Sequence, residues 1–285
     1  MENQGKELGV LGAGQMGAGI AQIAASKGYG VVLRDIELKF CEKALAKMTA
    51  GLDRRVAAGK ETAENAAKTI ANITITEKIS DLSDCDAVIE AVPEVLSLKQ
   101  EIFAELGNIC KPDAILCTNT SSMSVSKISE RCADPSRCAG AHFFFPVTAM
   151  RLVEVIRGTE TSDGTVEAVK ALAAGMGKTP VLCKTDTPGF IVNRCLFAFL
   201  LEAVKLYEEG VADIDDIDTA MKLGLNHPMG PFEMMDMSGI DTFPHVCKTL
   251  QSLSVTDWSV PESVKKLIAD GRLGHKNGKG WRNYE

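Results

Sequence analysis

Three glycines near the start of the chain, Gly12, Gly14 and Gly17, constrain its fold more than any other feature. They fit G-x-G-x-x-G, follow the apolar run Leu8–Leu11 and precede a second apolar run that ends at Asp35. A strand, a glycine turn, a helix and a strand ending in a carboxylate form the pattern of a dinucleotide-binding βαβ unit. The spacing therefore predicts a parallel sheet at the start of the chain.

Each glycine has a separate physical task in such a turn. Gly12 permits the tight turn, Gly14 lets a pyrophosphate approach the backbone, and Gly17 lets the helix pack on the strand. Gln15 and Met16 lie between the last two glycines, where the helix N-terminus faces the phosphates. We predict that all five residues line the nucleotide site.

Asp35 predicts the identity of the coenzyme. A carboxylate at this position accepts hydrogen bonds from the adenosine ribose and repels a 2′-phosphate, which favours NAD over NADP. A competing nucleotide motif fails, because Gly177–Thr179 looks like the end of a Walker A loop but position 172 is leucine.

Length and segment order predict two domains. The chain has 285 residues, enough for about two domains of roughly 150 residues. Strand-like and helix-like segments alternate up to Thr187-Pro188-Gly189, after which the pattern is helical. We predict an α/β fold class, with a Rossmann-like, mostly parallel sheet domain over 1–186 and an all-helical C-terminal domain over 187–285.

The helical part carries a large amount of apolar surface. We predict further helices from Asp213 to just before Gly224, near Met234–Phe243 and near Val246–Leu253. Before them, apolar residues recur at helical spacing along one stripe: Leu196, Phe199, Leu200, Ala203 and Tyr207. Because about one hundred residues bury such surface poorly, the pattern predicts a homodimer through this domain.

Charge and cysteine usage exclude several partners. The net charge is −7 and no long Lys/Arg run occurs, which argues against a nucleic acid or membrane partner. Nine cysteines occur without a C-x-x-C motif, so we predict no metal site and a cytoplasmic, reducing environment. The uncharged stretch 8–26 contains five glycines and lacks a basic leader, so it fits a strand, turn and helix better than a membrane or signal segment.

One histidine and one carboxylate form a candidate chemical site. His142, the only histidine before residue 187, lies in the predicted strand Ala139–Phe145, and Glu154 lies in the predicted strand Leu152–Ile156. A carboxylate inside an apolar strand is costly without a partner. A His142–Glu154 pair would satisfy both groups, either as a structural pair or as an acid–base pair.

Several sequence blocks, in order and over nearly the whole chain, resemble one enzyme family. They are Gly12–Ala21, Val88–Glu94, Asn119–Ser122, His142–Glu154, Thr187–Arg194 and Asp215–Asp241. Together they resemble the short-chain (S)-3-hydroxyacyl-CoA dehydrogenases, especially bacterial 3-hydroxybutyryl-CoA dehydrogenases. The resemblance implies a homodimeric oxidoreductase of fatty acid and butanoate metabolism, which uses NAD to interconvert short-chain (S)-3-hydroxyacyl-CoA and 3-oxoacyl-CoA.

The resemblance also implies roles for individual residues. His142 matches the catalytic base and Glu154 its partner, while Ser121 matches the residue that bonds the 3-oxygen. Asn193 matches an amide that orients the substrate. Ser121 could instead form an ordinary turn, and Asn193 could simply begin a helix. The matches to nicotinamide ribose or ring contacts are Glu94, Lys99 and Asn119.

The implied acyl-CoA site rests on fewer residues. Arg54 and Lys60 fall where the family places cations on the CoA phosphates, and Arg55 is an alternative to Arg54. An exposed charged helix face can also be merely solvated.

One departure from the family pattern affects the expected activity. The family block reads His-Phe-Phe-Asn-Pro, whereas this chain has Phe145 in place of Asn. Losing one preorganised donor can cost about 2–4 kcal/mol of transition-state stabilisation. Two alternatives therefore accompany the main prediction: a related dehydrogenase for a free hydroxy acid, and an NAD-binding protein with low turnover.

Overall fold

The computed structural model describes residues 5–251 and 258–284. The chain divides into two compact units, Met1–Thr187 and Pro188–Glu285. The last residues of the predicted helix Val246–Leu253 lie outside the described residues.

Within the described residues, the first unit contains one eight-stranded sheet in the order β3-β2-β1-β4-β5-β6-β7-β8. Neighbouring strands run parallel except for the antiparallel pair β6 and β7. This sheet confirms the predicted α/β class. The strands are β1 Glu7–Leu11, β2 Gly30–Arg34, β3 Ile73–Thr76, β4 Ala87–Glu90, β5 Ile115–Thr118, β6 Cys138–Phe143, β7 Leu152–Ile156 and β8 Thr179–Cys183.

Helices connect the strands of this sheet. Their N-caps follow side-chain chemistry where it is available, since Thr62, Ser124 and Ser162 each accept a backbone N–H at a helix start. Short 3₁₀ turns cover Ile79–Leu82 and Pro135–Arg137. The helices are α1 Gln15–Ser26, α2 Leu38–Ala57, α3 Ala63–Ala71, α4 Leu96–Ile109, α5 Val125–Ser129 and α6 Asp163–Gly175.

Apolar side chains cover both faces of the sheet. One cluster includes Val10, Ile20 and Val155, and another includes Leu11, Phe103 and Leu116. Adjacent residues such as Val10 and Leu11 join different clusters because side chains alternate between the two faces of a strand. Burial on both faces explains why the strands read as continuous apolar runs.

The second unit is helical over its described residues, apart from isolated β-bridges among Gly274, Lys279 and Asn283. Asp236 is fully buried there and accepts the Trp281 N–H at 2.8 Å and the Tyr284 hydroxyl at 2.5 Å. A 3₁₀ turn covers Ile240–Thr242. The helices are α7 Val192–Glu208, α8 Ile214–Leu225, α9 Pro231–Ser238, α10 Phe243–Leu250 and α11 Glu262–Ala269.

The predicted stripe on α7 belongs to a wider buried face. Leu200 and Ala203 are buried, Leu196 and Phe199 pack half-buried against the same cluster, and Tyr207 is 37% exposed. Phe197, Leu201 and Val204, which lie outside the stripe, are buried as well. Helical spacing does not specify which neighbouring helices pack, so it does not set the width of the buried face.

One local prediction was wrong in the second unit, and it concerns the end of α8. Gly224 lies inside this helix, and Asn226 ends it in the left-handed conformation, with φ of 57°. Asparagine tolerates that conformation better than most residues, so it can replace glycine at a helix end.

One boundary in the first unit also differs from the sequence prediction. β6 ends at Phe143, so Phe144 and Phe145 of the predicted strand follow it as irregular chain. This difference does not change the order of the strands.

Candidate functional site

The glycine turn follows β1 at the carboxyl edge of the sheet. Gly12 has φ of +105°, and a Cβ there would lie 2.6 Å from the Ala91 carbonyl oxygen. A Cβ at Gly17 would lie 1.8 Å from the Gly12 carbonyl oxygen. The backbone path therefore requires glycine at both positions.

Gly14 has a different reason to be glycine. A Cβ there would meet no atom within 4 Å, so the protein's own packing does not require glycine. Gly14 is the N-cap of α1, and Gln15 and Met16 begin that helix. The open space at a helix N-terminus fits a phosphate that approaches the backbone.

Asp35 lies against the glycine turn. One carboxylate oxygen accepts the Ala13 N–H at 2.6 Å, and the other accepts the Ile36 N–H at 2.7 Å. Asp35 directly follows β2, which is hydrogen-bonded to β1. The sheet therefore brings the predicted ribose acceptor and the predicted phosphate turn together.

His142 and Glu154 form a buried pair across the antiparallel strands β6 and β7. They are register partners, and the distance from His142 Nδ1 to Glu154 Oε2 is 2.7 Å. His142 is 6% exposed and Glu154 is 1% exposed. A proton on Nδ1 directed at the carboxylate leaves Nε2 as the basic nitrogen of the ring.

The segment around His142 is tied to the neighbouring strand. Asn119, directly after β5, accepts the Phe143 N–H at 2.9 Å through its side-chain oxygen. The Phe144 ring packs 4.4 Å from the His142 ring, measured between centroids. Asn119 thus contacts the backbone beside the histidine as well as matching a predicted coenzyme contact.

A buried ion pair that sequence reasoning missed lies nearby. Glu90, the last residue of β4, is fully buried and accepts Lys99 Nζ at 2.6 Å and Thr118 Oγ1 at 2.8 Å. Burial raises the pKa of Glu90. The signal was available, because Glu90 is a carboxylate within an apolar strand, just as Glu154 is.

Glu94 joins this pair to the turn that carries Ser121. Lys99 Nζ lies 3.3 Å from Glu94 Oε2. Glu94 Oε1 accepts the Ser121 N–H at 2.8 Å and the Thr120 hydroxyl at 2.9 Å. Three predicted residues, Glu94, Lys99 and Ser121, are therefore connected through one carboxylate.

The remaining predicted residues lie on other elements of the fold. Arg54 is exposed on α2, and Lys60 is exposed between α2 and α3. Arg55 donates to the Lys60 carbonyl oxygen at 3.3 Å. Asn193 lies in the first turn of α7, in the second unit.

The described residues supply further limits on the site. Over 5–251 and 258–284, no His, Cys, Asp or Glu side chains cluster in threes as a metal site requires. In the same residues, no helix has the length and apolarity needed to cross a membrane.

The glycine turn, Asp35 and the buried His–Glu pair define an NAD-dependent dehydrogenase. Comparison with known proteins identifies the type of dehydrogenase. The model of the 3-hydroxyacyl-CoA dehydrogenase NAD-binding domain matches residues 7–187, and that of the 3-hydroxyacyl-CoA dehydrogenase C-terminal domain matches residues 189–284. The chain belongs to the 3-hydroxyacyl-CoA dehydrogenase family.

Individual relatives agree with the family models. The chain is 41% identical to a probable 3-hydroxybutyryl-CoA dehydrogenase from Deinococcus radiodurans, covering 98% of this chain and 100% of the relative. It is 42% identical to the human mitochondrial hydroxyacyl-coenzyme A dehydrogenase, covering 98% and 91%. The solved (S)-3-hydroxybutyryl-CoA dehydrogenase from Ralstonia eutropha matches with a TM-score of 0.93 and 38% identity, covering 98% and 99%.

Proposed function

We propose that this protein interconverts short-chain (S)-3-hydroxyacyl-CoA and 3-oxoacyl-CoA, with 3-hydroxybutanoyl-CoA and acetoacetyl-CoA as the representative pair. The observation that carries the proposal is the buried His142–Glu154 pair, with its 2.7 Å hydrogen bond, near the end of β6 in the same sheet as the glycine turn. The names of the full-length relatives support the acyl-CoA substrate.

His142 acts as the general base in the oxidative direction. Its Nε2 takes the proton of the 3-hydroxyl, and Glu154 stabilises the imidazolium that forms. NAD, when bound, supplies the acceptor for the hydride that leaves C3. In the reductive direction, the protonated His142 returns its proton to the developing alkoxide.

Other residues orient the reactants in this proposal. Ser121 bonds the 3-oxygen of the substrate, and Asn193 orients the substrate. We assign Glu94, Lys99 and Asn119 to the nicotinamide side of the site. The family resemblance supports these roles, and the hydrogen bonds among Glu94, Ser121 and Lys99 support a shared location.

Exposed cations bind the CoA phosphates in the proposal. Arg54 and Lys60 are both exposed and close in sequence. We expect Arg54→Ala and Lys60→Ala to raise the KM for acetoacetyl-CoA and to leave the KM for free acetoacetate unchanged.

The substrate class is tested by a steady-state comparison of acetoacetyl-CoA with free acetoacetate, using NADH. We expect kcat/KM to be much higher for acetoacetyl-CoA. Equal efficiency would contradict the CoA assignment and favour a dehydrogenase for free hydroxy acids. NADH binding without oxidation by either substrate would favour the low-turnover alternative, which Phe145 motivates.

The choice of coenzyme is tested at Asp35. The enzyme should prefer NADH over NADPH, and Asp35→Ser should narrow that preference, because the carboxylate repels a 2′-phosphate. A parent enzyme that prefers NADPH would contradict the assigned role of Asp35.

We further propose a cytoplasmic homodimer formed through the second unit. Several large apolar side chains of that unit are exposed, including Val211, Leu223 and Leu225, and such surface is typical of interfaces. All nine cysteines are free thiols and only Cys195 is exposed, which supports a reducing compartment. Light scattering at micromolar concentration should give twice the chain mass, and a monomeric mass would contradict the dimer.

A further inference from the structure

The buried Glu90–Lys99 pair is an unusual arrangement for a structural role alone. Glu90 is fully buried and Lys99 is 1% exposed. Replacing a buried ion pair by apolar residues is often neutral or stabilising, so its presence is weak evidence for a contribution to stability. The contacts made by the pair therefore need a different explanation.

The Lys99 ammonium links Glu90 to Glu94. It donates to Glu90 Oε1 at 2.6 Å and to the Val92 carbonyl oxygen at 3.3 Å, and it forms an ion pair with Glu94 Oε2 at 3.3 Å. Lys99 is thus placed to act on Glu94.

Glu90 is itself held firmly at the end of β4. Its Oε1 accepts the Val92 N–H at 2.7 Å, and its Oε2 accepts Thr118 Oγ1 at 2.8 Å. The carboxylate has three partners: a backbone amide, a buried hydroxyl and a buried ammonium. Together they fix it in one position. Glu90 can therefore define the position of the Lys99 ammonium.

We propose that Glu90 is a positioning residue for the dehydrogenase reaction, which acts through Lys99 and Glu94 to fix Ser121. The Glu94 carboxylate links the two ends, since Oε2 faces Lys99 and Oε1 accepts the Ser121 N–H at 2.8 Å. The inference rests on the proposed function, in which Ser121 contacts the substrate oxygen.

Glu90→Gln tests this chain of contacts. The amide keeps the shape of the side chain but removes the negative charge that faces Lys99. Glu94 is then drawn to Lys99, and its hydrogen bond from the Ser121 N–H is weakened. We expect kcat with acetoacetyl-CoA and NADH to fall about tenfold, the loss of one charge-assisted hydrogen bond.

A double-variant cycle with Ser121→Ala separates positioning from a merely structural role. If Glu90 acts through Ser121, the double variant should match Ser121→Ala within about twofold. Two results would overturn the inference. One is a double variant whose loss of kcat is the product of the two single-variant losses, and the other is a Glu90→Gln enzyme with parental kinetics. Asp236→Asn is the matched control, because it replaces a buried carboxylate outside this network and should keep the parental kcat.

Two further measurements keep the test decisive. If Glu90→Gln does not fold, Glu90→Asp keeps the charge but draws the carboxylate back from Lys99, and the folded protein should show the same tenfold loss. Parental kinetics in that variant would also overturn the inference. A parent enzyme inactive on acetoacetyl-CoA would instead contradict the proposed function, so the two failures are distinguishable.

Discussion

Buried carboxylates have different partners in the two units of this protein. In the sheet unit, Glu154 and Glu90 pair with His142 and Lys99, side chains that can carry positive charge. In the helical unit, the buried Asp236 accepts the backbone N–H groups of Trp281 at 2.8 Å and Arg282 at 3.2 Å and the Tyr284 hydroxyl at 2.5 Å. Asp218 accepts two backbone N–H groups and lies 2.9 Å from Arg282 Nη1.

The partners indicate what each carboxylate does. Backbone N–H groups and an arginine side chain keep their protons during catalysis, so Asp218 and Asp236 hold segments of chain in place. A histidine partner can gain and lose a proton near neutral pH. We infer that the buried charge of the sheet unit serves chemistry, while that of the helical unit serves stability.

The largest effect should come from Glu154→Gln in the sheet unit. An amide cannot stabilise the imidazolium, so kcat with acetoacetyl-CoA should fall about 10²–10⁴-fold, as should that of His142→Gln. NADH binding and the melting temperature should change little. A loss of kcat below tenfold, measured in the steady state, would show that the pair is structural.

Asp236→Ala, in the helical unit, should lower the stability of the protein and leave its kcat nearly unchanged. It leaves the Trp281 N–H, the Arg282 N–H and the Tyr284 hydroxyl without their acceptor. Each unsatisfied buried donor costs about 1–3 kcal/mol. The free energy of unfolding, measured in urea, should therefore fall by about 3 kcal/mol. Activity per folded molecule should persist, and a stable but inactive variant would break the comparison.

Phe145→Asn tests the departure from the family block three residues after His142. Phe145 is 62% exposed, so it is not packed into the core of the sheet unit, and its replacement should leave the melting temperature unchanged. Restoring an amide donor should raise kcat with acetoacetyl-CoA about tenfold, part of what one oriented donor can contribute. A stable variant with unchanged or lower kcat would indicate that phenylalanine is an adaptation to the substrate.

The smallest effect concerns Glu233, a half-buried carboxylate of the helical unit. Its hydrogen bond from Lys222, at 2.5 Å, and one from the Gly230 N–H hold its pKa below the usual value. A lowered pKa means that the ionised form favours folding, so the stabilisation is present at pH 7 and is lost as the pH falls below the usual pKa of Glu. Glu233→Gln should therefore cost less than about 1 kcal/mol at pH 7.

Calorimetry at several pH values measures that difference. The gap in stability between the parent and Glu233→Gln should close as the pH falls through the lowered pKa of Glu233, where the folded parent becomes protonated as well. A stability gap that widens as the pH falls would contradict the predicted sign of the pH dependence. Lys222→Met, which removes the partner, should give the same pH profile.

Local spacing made the nucleotide site predictable from sequence. Gly12 and Asp35 belong to one βαβ unit, so the geometry that joins them is set within about 25 residues. The His142–Glu154 contact was also predictable, because a charged residue in an apolar strand needs a partner and the two strands are close in sequence.

Non-local packing limited the rest. Glu90 accepts hydrogen bonds from Lys99 on the following helix and from Thr118 on the next strand. No periodicity in the sequence indicates that Glu90 and Lys99 pair. The α7 stripe was incomplete for a related reason: Phe197, outside the stripe, is buried because of which helices pack nearby. Short α5 escaped prediction, although Ser124 is a suitable N-cap.

The antiparallel pairing of β6 and β7 makes the chemistry sensitive to insertions and deletions. His142 faces Glu154 only because the strands pair in one alignment, with Ala141 opposite Val155 and Phe143 opposite Val153. A slip of one residue would set His142 against valine and turn the carboxylate to the other face of the sheet. Adding or deleting one residue between Ala141 and Phe143 would therefore separate the proposed acid–base pair.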